Sequence, residues 1–255
     1  MPGRILAIAL NTFREAIRNR ILYLLLVFAV ALILCAQALS LMTVGSEEKI
    51  IKDFGLATID LFGVLTAVLL GIGLVSREIE RRTVYVLLAK PIHRAEFVLG
   101  KYLGLVLTLL VNTSVMAACY FALLLAKGIA APALLTAIAL LFMQFLLVTA
   151  IAILFSCLSN PIISCILTLA LYVVGHLLWS FDLLKARLVS GAAKALCTAL
   201  AVLLPDLSHF DVKGPAVHGL PIPAGEVVFA CGYLVIYGSA VLLLACAVFE
   251  RKELQ

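Results

Sequence analysis

Residues Glu80–Lys101 read ERRTVYVLLAKPIHRAEFVLGK. A short apolar run, TVYVLLA, is closed in by Glu80, Arg81 and Arg82 on one side and by Lys90, Pro91 and Arg94 on the other. The rest of the chain is far oilier. Of its 255 residues 65% are hydrophobic and 13% charged, and the mean hydropathy is +1.21. Soluble domains hold roughly 45–50% apolar residues. The charged stretch is therefore a water-facing connection between two segments buried in lipid. Backbone groups in hydrocarbon must satisfy one another within a segment, so those segments are helices.

Six segments are long and apolar enough to cross hydrocarbon about 30 Å thick at about 1.5 Å per residue. They are Ile21–Val44, Phe54–Val75, Leu99–Ala126, Pro132–Ser156, Ile162–Phe181 and Val227–Phe249. The expected fold is an all-α polytopic membrane protein, a single transmembrane domain over 1–255. It has an amphipathic N-terminal helix in 1–20, five spans within 21–181 and a connecting loop at 76–98. Helices and loop on the outer side follow in 182–226, then a sixth span in 227–249 and a tail in 250–255. With the N-terminus cytoplasmic, twelve of the nineteen Lys and Arg residues fall on the inner side, which is the distribution that basic residues impose on topology. Both termini are then cytoplasmic. The first apolar run is too long for a cleaved signal. The net charge of +5 flanks spans and faces head groups, so membrane lipid rather than nucleic acid is the implied contact.

Two further stretches are amphipathic. In the N-terminal helix, Ile5, Ile8, Ala9, Phe13, Ala16 and Ile17 share one side, with Arg4, Asn11, Arg14, Glu15 and Arg18 on the other. Such a helix lies along the membrane surface. In RLVSGAAKALCTALAVLLP, from Arg187 to Pro205, the residues Arg187, Ser190, Lys194, Thr198 and Ala201 form one polar stripe. This segment reads either as an interfacial helix or as a seventh crossing.

Motifs for chemistry are missing. No GxxxxGK[ST] loop and no HExxH occurs, and the seven cysteines show no CxxC spacing. The chain is expected to be no enzyme and to hold no metal or cofactor of its own. Around His209, Asp206 and Asp211 leave a metal contact or a capped turn after Pro205 as readings. YGSA at Tyr237–Ala240 reads as helix packing. Polar residues inside spans line a path or bond between helices; the candidates for a path are Asp60, Asn112 and Gln144, with Gln37 and His176 beside them. The spans carry too few charges for an ion-coupled carrier, and the halves show no inverted repeat.

The loop itself asks for a partner. Thr83 can cap a helix and Pro91 disfavours helix at Lys90, leaving about two turns, too short to be stable alone. The pattern Glu78 or Glu80, Thr83, Leu87, Leu88, Pro91, Arg94, Gly100 and Lys101 resembles the cytoplasmic signature of ABC-2-type transporter permeases, with Arg82 where that family commonly has Gly. The likeness extends to the connecting helix, six spans, helices between spans five and six, and a second cytoplasmic loop at Ser159, Asn160 and Pro161. It implies that Glu80, Arg81, Arg82, Thr83, Tyr85, Leu87, Leu88, Lys90, Pro91 and Arg94 form a coupling loop docked on separate ATP-binding cassette ATPase subunits, which hold the ATP and Mg. It also implies a second permease copy or a paralogue, export as the direction, and a bacterial inner membrane. The rivals are an autonomous channel or secondary carrier without an ATPase, and a membrane enzyme acting on lipids.

Overall fold

The computed structural model describes residues 2–40, 47–80, 94–129, 131–178, 198 and 204–251, with the backbone alone for 2, 75–80 and 94. All regular structure among the described residues is helical. The elements are α1 (Pro2–Ile17), α2 (Arg20–Ser40), α3 (Glu47–Glu80), α4 (Arg94–Ala126), α5 (Ala133–Leu158), α6 (Pro161–Leu177), a 3-10 turn (Ser208–Phe210), α7 (Lys213–Val217) and α8 (Ala224–Arg251). Five of them, α2, α3, α4, α5 and α8, are long and apolar enough to cross a membrane, and α6 is a shorter apolar helix. At about 1.5 Å per residue the 17 residues of α6 make about 26 Å. Residues 81–93 of the connecting loop and most of the amphipathic stretch 187–204 lie outside the described residues.

Helix ends differ from the hydropathy boundaries. α3 begins at Glu47 rather than at Phe54, and α4 at Arg94 rather than at Leu99. Hydropathy falls where charges begin, but backbone hydrogen bonding does not need apolar side chains. Glu47, Glu48 and Glu96 stand in first turns, where the helix dipole favours negative charge. α6 stops at Leu177, short of Phe181. α8 extends past both ends of Val227–Phe249.

Contacts sort the helices into two ends. At one end α1 meets the start of α4, Phe97 of α4 stacks on Phe249 of α8 with centroids 5.5 Å apart, and Ser164 of α6 donates to Phe155 O of α5 at 2.8 Å. At the other end the Tyr120 hydroxyl of α4 donates to Lys52 O of α3 at 2.9 Å. There too Leu207 N bonds Gly175 O, and Asp206 N donates to the Tyr233 hydroxyl of α8. Successive helices thus run up and down. α3 and α5 occupy the centre, with 72% of each apolar window buried, against 28% for α2 and 17% for α8. Their exposed Val27, Phe28, Val235, Ile236 and Leu243 suit lipid, where apolar surface costs nothing.

Close approach at the centre depends on Gly63, where an added Cβ would sit 2.1 Å from Phe145 Cζ. The N-terminal helix is held the same way. An added Cβ at Gly104 would lie 2.6 Å from Ala9 O of α1, so α1 rests directly on α4 and buries Ala9, Thr12 and Ala16. Beside them Lys101, 1% exposed, pairs with Glu15 at 3.5 Å and lies 5.8 Å over the Phe97 ring. Glu15, expected on the watery side, instead sits half-buried against this lysine. The Gly100–Lys101 pair of the loop pattern is thus part of the seat of α1. Asn19 then turns the chain into α2, its Oδ1 accepting from Ile21 N at 3.0 Å, as an N-cap does.

Gly104→Ala is expected to destabilise the chain by about 2 kcal/mol, since the new methyl meets backbone rather than a movable side chain. Gly73→Ala, with nothing within 4 Å of the new atom, is expected to be neutral or mildly stabilising. Hydrogen exchange over residues 2–17 separates the two, rising for the first variant alone.

Candidate functional site

An ionised side chain inside an apolar bundle persists only when its charge is matched and its lone pairs are filled. Asp60, fourteen residues into α3 and 5% exposed, meets both conditions. Gln144 Nε2 of α5 donates to its Oδ1 at 2.8 Å. On Oδ2 the Tyr172 hydroxyl of α6 donates at 3.1 Å, and Lys213 Nζ of α7 forms a salt bridge. Three elements distant in sequence, α5, α6 and α7, converge on one carboxylate of α3.

The lysine is itself held by two carboxylates, with Asp211 Oδ1 3.7 Å from its Nζ. Burial alone pulls its pKa down; the charge of Asp60 and its hydrogen bond, with help from Asp211, outweigh that and leave Lys213 above its ordinary value. It stays cationic at any physiological pH. Through this pair the segment 204–217, which carries the 3-10 turn and α7, is fastened to the far end of the bundle. Below it the segment packs Leu207, Phe210, Ala216 and Val217 into the core. Gly175, where an added Cβ would lie 2.6 Å from Pro205 O, admits the backbone of the segment against α6.

Two buried atoms beside the cluster have no hydrogen-bond partner among the described residues, Gln144 Oε1 and His176 Nε2. The Gln144 amide is oriented by the need of Asp60 for a donor. His176 Nδ1 lies 3.1 Å from Tyr172 O; that contact places the proton on Nδ1 and leaves Nε2 an acceptor in the neutral ring. With three donors already on it, Asp60 is no free general base. The cluster can hold, release and re-form polar contacts, which is the chemistry of a clamp.

Of the other polar positions expected to matter, Asn112 Nδ2 donates to Thr66 Oγ1 of α3 at 3.3 Å, while Asn112 Oδ1 and Thr113 Oγ1 are buried without partners among the described residues. Asp60 and Gln144 are thus brought together, and Asn112 belongs to a separate α3–α4 contact. Ser159 and Asn160 form an extended link between α5 and α6, with Pro161 at the first helical position; Pro is suited to that place because no intrahelical acceptor exists there. The coupling-loop residues Arg81, Arg82, Thr83, Tyr85, Leu87, Leu88, Lys90 and Pro91 lie outside the described residues, as do the side chains of Glu80 and Arg94.

Around His209 the capped turn is what forms. Ser208 N and Oγ both donate to Asp206 Oδ1, at 3.0 and 2.6 Å. Among the described residues no group of three His, Cys, Asp or Glu is placed to hold a metal. Tyr172 and Lys213 escaped sequence reasoning. Lys213 is one more basic residue in a long connection, 153 positions from Asp60, and no periodicity joins the two.

A family model described as ABC-2 family transporter protein matches residues 6–254. No curated protein matches the chain.

Proposed function

The chain belongs to the ABC-2 family of transporter proteins, its membrane domain matched from residue 6 to residue 254, and on that premise we infer that it is the non-catalytic subunit through which a separate ATPase drives export. In this reading six helices cross the inner membrane of a bacterium, α6 among them. Both termini are cytoplasmic, and a second copy or a paralogue completes the path. Two ATP-binding cassette subunits, carrying ATP and Mg, dock on the connection at 81–93, with the link at 159–161 beside them.

One observation carries the coupling. α3 is a single uninterrupted helix from Glu47 to Glu80, and it joins the Asp60 cluster to the edge of that connection. Twenty residues separate Asp60 from Glu80, about 30 Å at about 1.5 Å per residue. A helix this long, mostly buried among its neighbours between Glu47 and Leu74, transmits displacement with little bending. A push at 81–93 therefore reaches the clamp on segment 204–217. ATP binding then acts by changing which of two packings is favoured, through differential contact energy and without a reacting group in this chain. The polar cluster makes the far end bistable, since ionic contacts either form fully or open to water.

Gentle solubilisation of the tagged chain from its native membrane tests the assignment. A soluble ATPase is expected to co-purify, and its hydrolysis to be stimulated by the chain in reconstituted bilayers. A stable complex lacking any ATPase, with flux driven by an ion gradient, overturns the reading in favour of an autonomous carrier.

A further inference from the structure

A second charged feature lies at the opposite end from the Asp60 cluster. Between α1, the start of α2 and the end of α3 opens a cleft of about 870 Å³, walled by Asn11, Arg14, Arg18, Arg20, Ile21 and Leu74. Glu15 also borders it, but its charge is met by Lys101. Among the described residues the charge that lines the cleft is therefore that of three guanidiniums. Among the described residues no carboxylate pairs with Arg14, Arg18 or Arg20.

The rotation of α1 decides what the cleft faces. Gly100 and Gly104 fix one side of α1 on α4. Leu6, Leu10, Phe13 and Ile17 then fall at i, i+4, i+7 and i+11 on a second side, with Leu6 60% and Leu10 42% exposed. Asn11, Arg14 and Arg18, at i, i+3 and i+7, form a third side, on which the cleft opens. The exposed face of α2 begins in the cleft itself, at Ile21, and continues through Leu24 and Phe28. Apolar surface suited to acyl chains thus runs directly into a basic recess. That juxtaposition places the guanidiniums at head-group depth.

We propose that this cleft binds the phosphate of an anionic phospholipid in the leaflet on the α1 side. Arg14 and Arg18 come from one helix face and Arg20 from the next element, so a phosphate between them would tie α1 to α2 across the Asn19 turn. Guanidinium forks match phosphate oxygens in pairs. The volume fits a head group, within the usual ligand range of about 300–1,000 Å³, and Ile21 and Leu74 offer apolar contact for the glycerol and first methylenes. The site is independent of the export reading. It needs only that the chain sits in a bilayer.

The test uses the full chain in bilayer discs containing phosphatidylcholine with a minor fraction of phosphatidylglycerol, followed by extraction and measurement of retained lipid. A basic residue near an anionic surface contributes about fivefold, hence on the order of a hundredfold for three. Wild type is expected to retain phosphatidylglycerol in large excess over its share, and the triple variant R14Q/R18Q/R20Q to retain it in proportion. A triple lysine variant, which keeps the charge and loses the forks, is expected to fall between them and guards against loss of fold. Competition by millimolar inorganic phosphate that removes the preference identifies a free anion as the ligand and overturns the lipid assignment. Equal retention by wild type and the glutamine variant overturns it as well. So does a glutamine variant that keeps its lipid but no longer binds the ATPase, which would make the cleft a protein contact.

Discussion

Leu88→Asp is expected to abolish association with the ATPase subunits while leaving the chain inserted and folded. The two-turn stretch from Thr83 to Lys90 is too short to hold itself as a helix in water and carries Val84, Tyr85, Val86, Leu87 and Leu88 in sequence. In the proposed reading the ATPase groove that receives it supplies that stability. A carboxylate placed there without a partner loses hydration that nothing replaces, costing about 3 kcal/mol or more, a loss of at least a hundredfold in affinity. Insertion is set by the apolar helices on either side and is untouched. Pull-down of the ATPase and its stimulated hydrolysis measure the effect, and Leu88→Met, which keeps volume and polarity, is expected to retain both. Undiminished binding of the aspartate variant would remove the docking assignment.

Breaking the Asp60–Lys213 pair is expected to cost about 3 kcal/mol from the lysine side, where the buried carboxylate is stranded in a partly dry site, and less from the aspartate side. Lys213→Met leaves the carboxylate with only Gln144 and Tyr172; Asp60→Asn leaves the ammonium with an amide and the more exposed Asp211. The double variant is expected to recover most of the loss, since an amide beside a thioether has no charge to desolvate. Hydrogen exchange over 204–217 reads the undocking directly, and ATP hydrolysis without transport reads the uncoupling. At about 1.4 kcal/mol per tenfold, the closed far end loses roughly two orders of magnitude in population. Additive single and double effects would mean that the pair does not act as a unit. Alkali gives a second readout. The folded pKa of Lys213 is raised above its ordinary value, so its contribution is complete below the unfolded value of about 10.4. That contribution is lost as pH rises through the folded one, and the far-end segment should loosen only in strong alkali.

Fold class, helical content and the placing of most spans were legible in the order of residues because hydrocarbon imposes them locally. Any run of about twenty apolar residues must satisfy its own backbone. The turn at Asp206 and Ser208 was legible for the same reason, being a contact within a few positions, whereas Pro161, expected in the loop, opens the helix. The family was legible through a spaced loop pattern, and a family model matched over 6–254 bears out the family.

Position on a helix face and partners across the bundle were another matter. Glu15 and Lys101 read as surface charges, yet they meet in the seat of α1. Asp60 and Gln144 read as isolated polar residues, open to a path or to a bond. Folding joined them and brought Tyr172 and Lys213 to the same carboxylate. Lipid holds any apolar helix equally well, so the order of residues along one helix determines that it spans and says little about which side meets which neighbour. Those choices follow from where glycines such as Gly63 and Gly104 let backbones close together, and from which buried charges must find each other once they do. Only the packed bundle decides them.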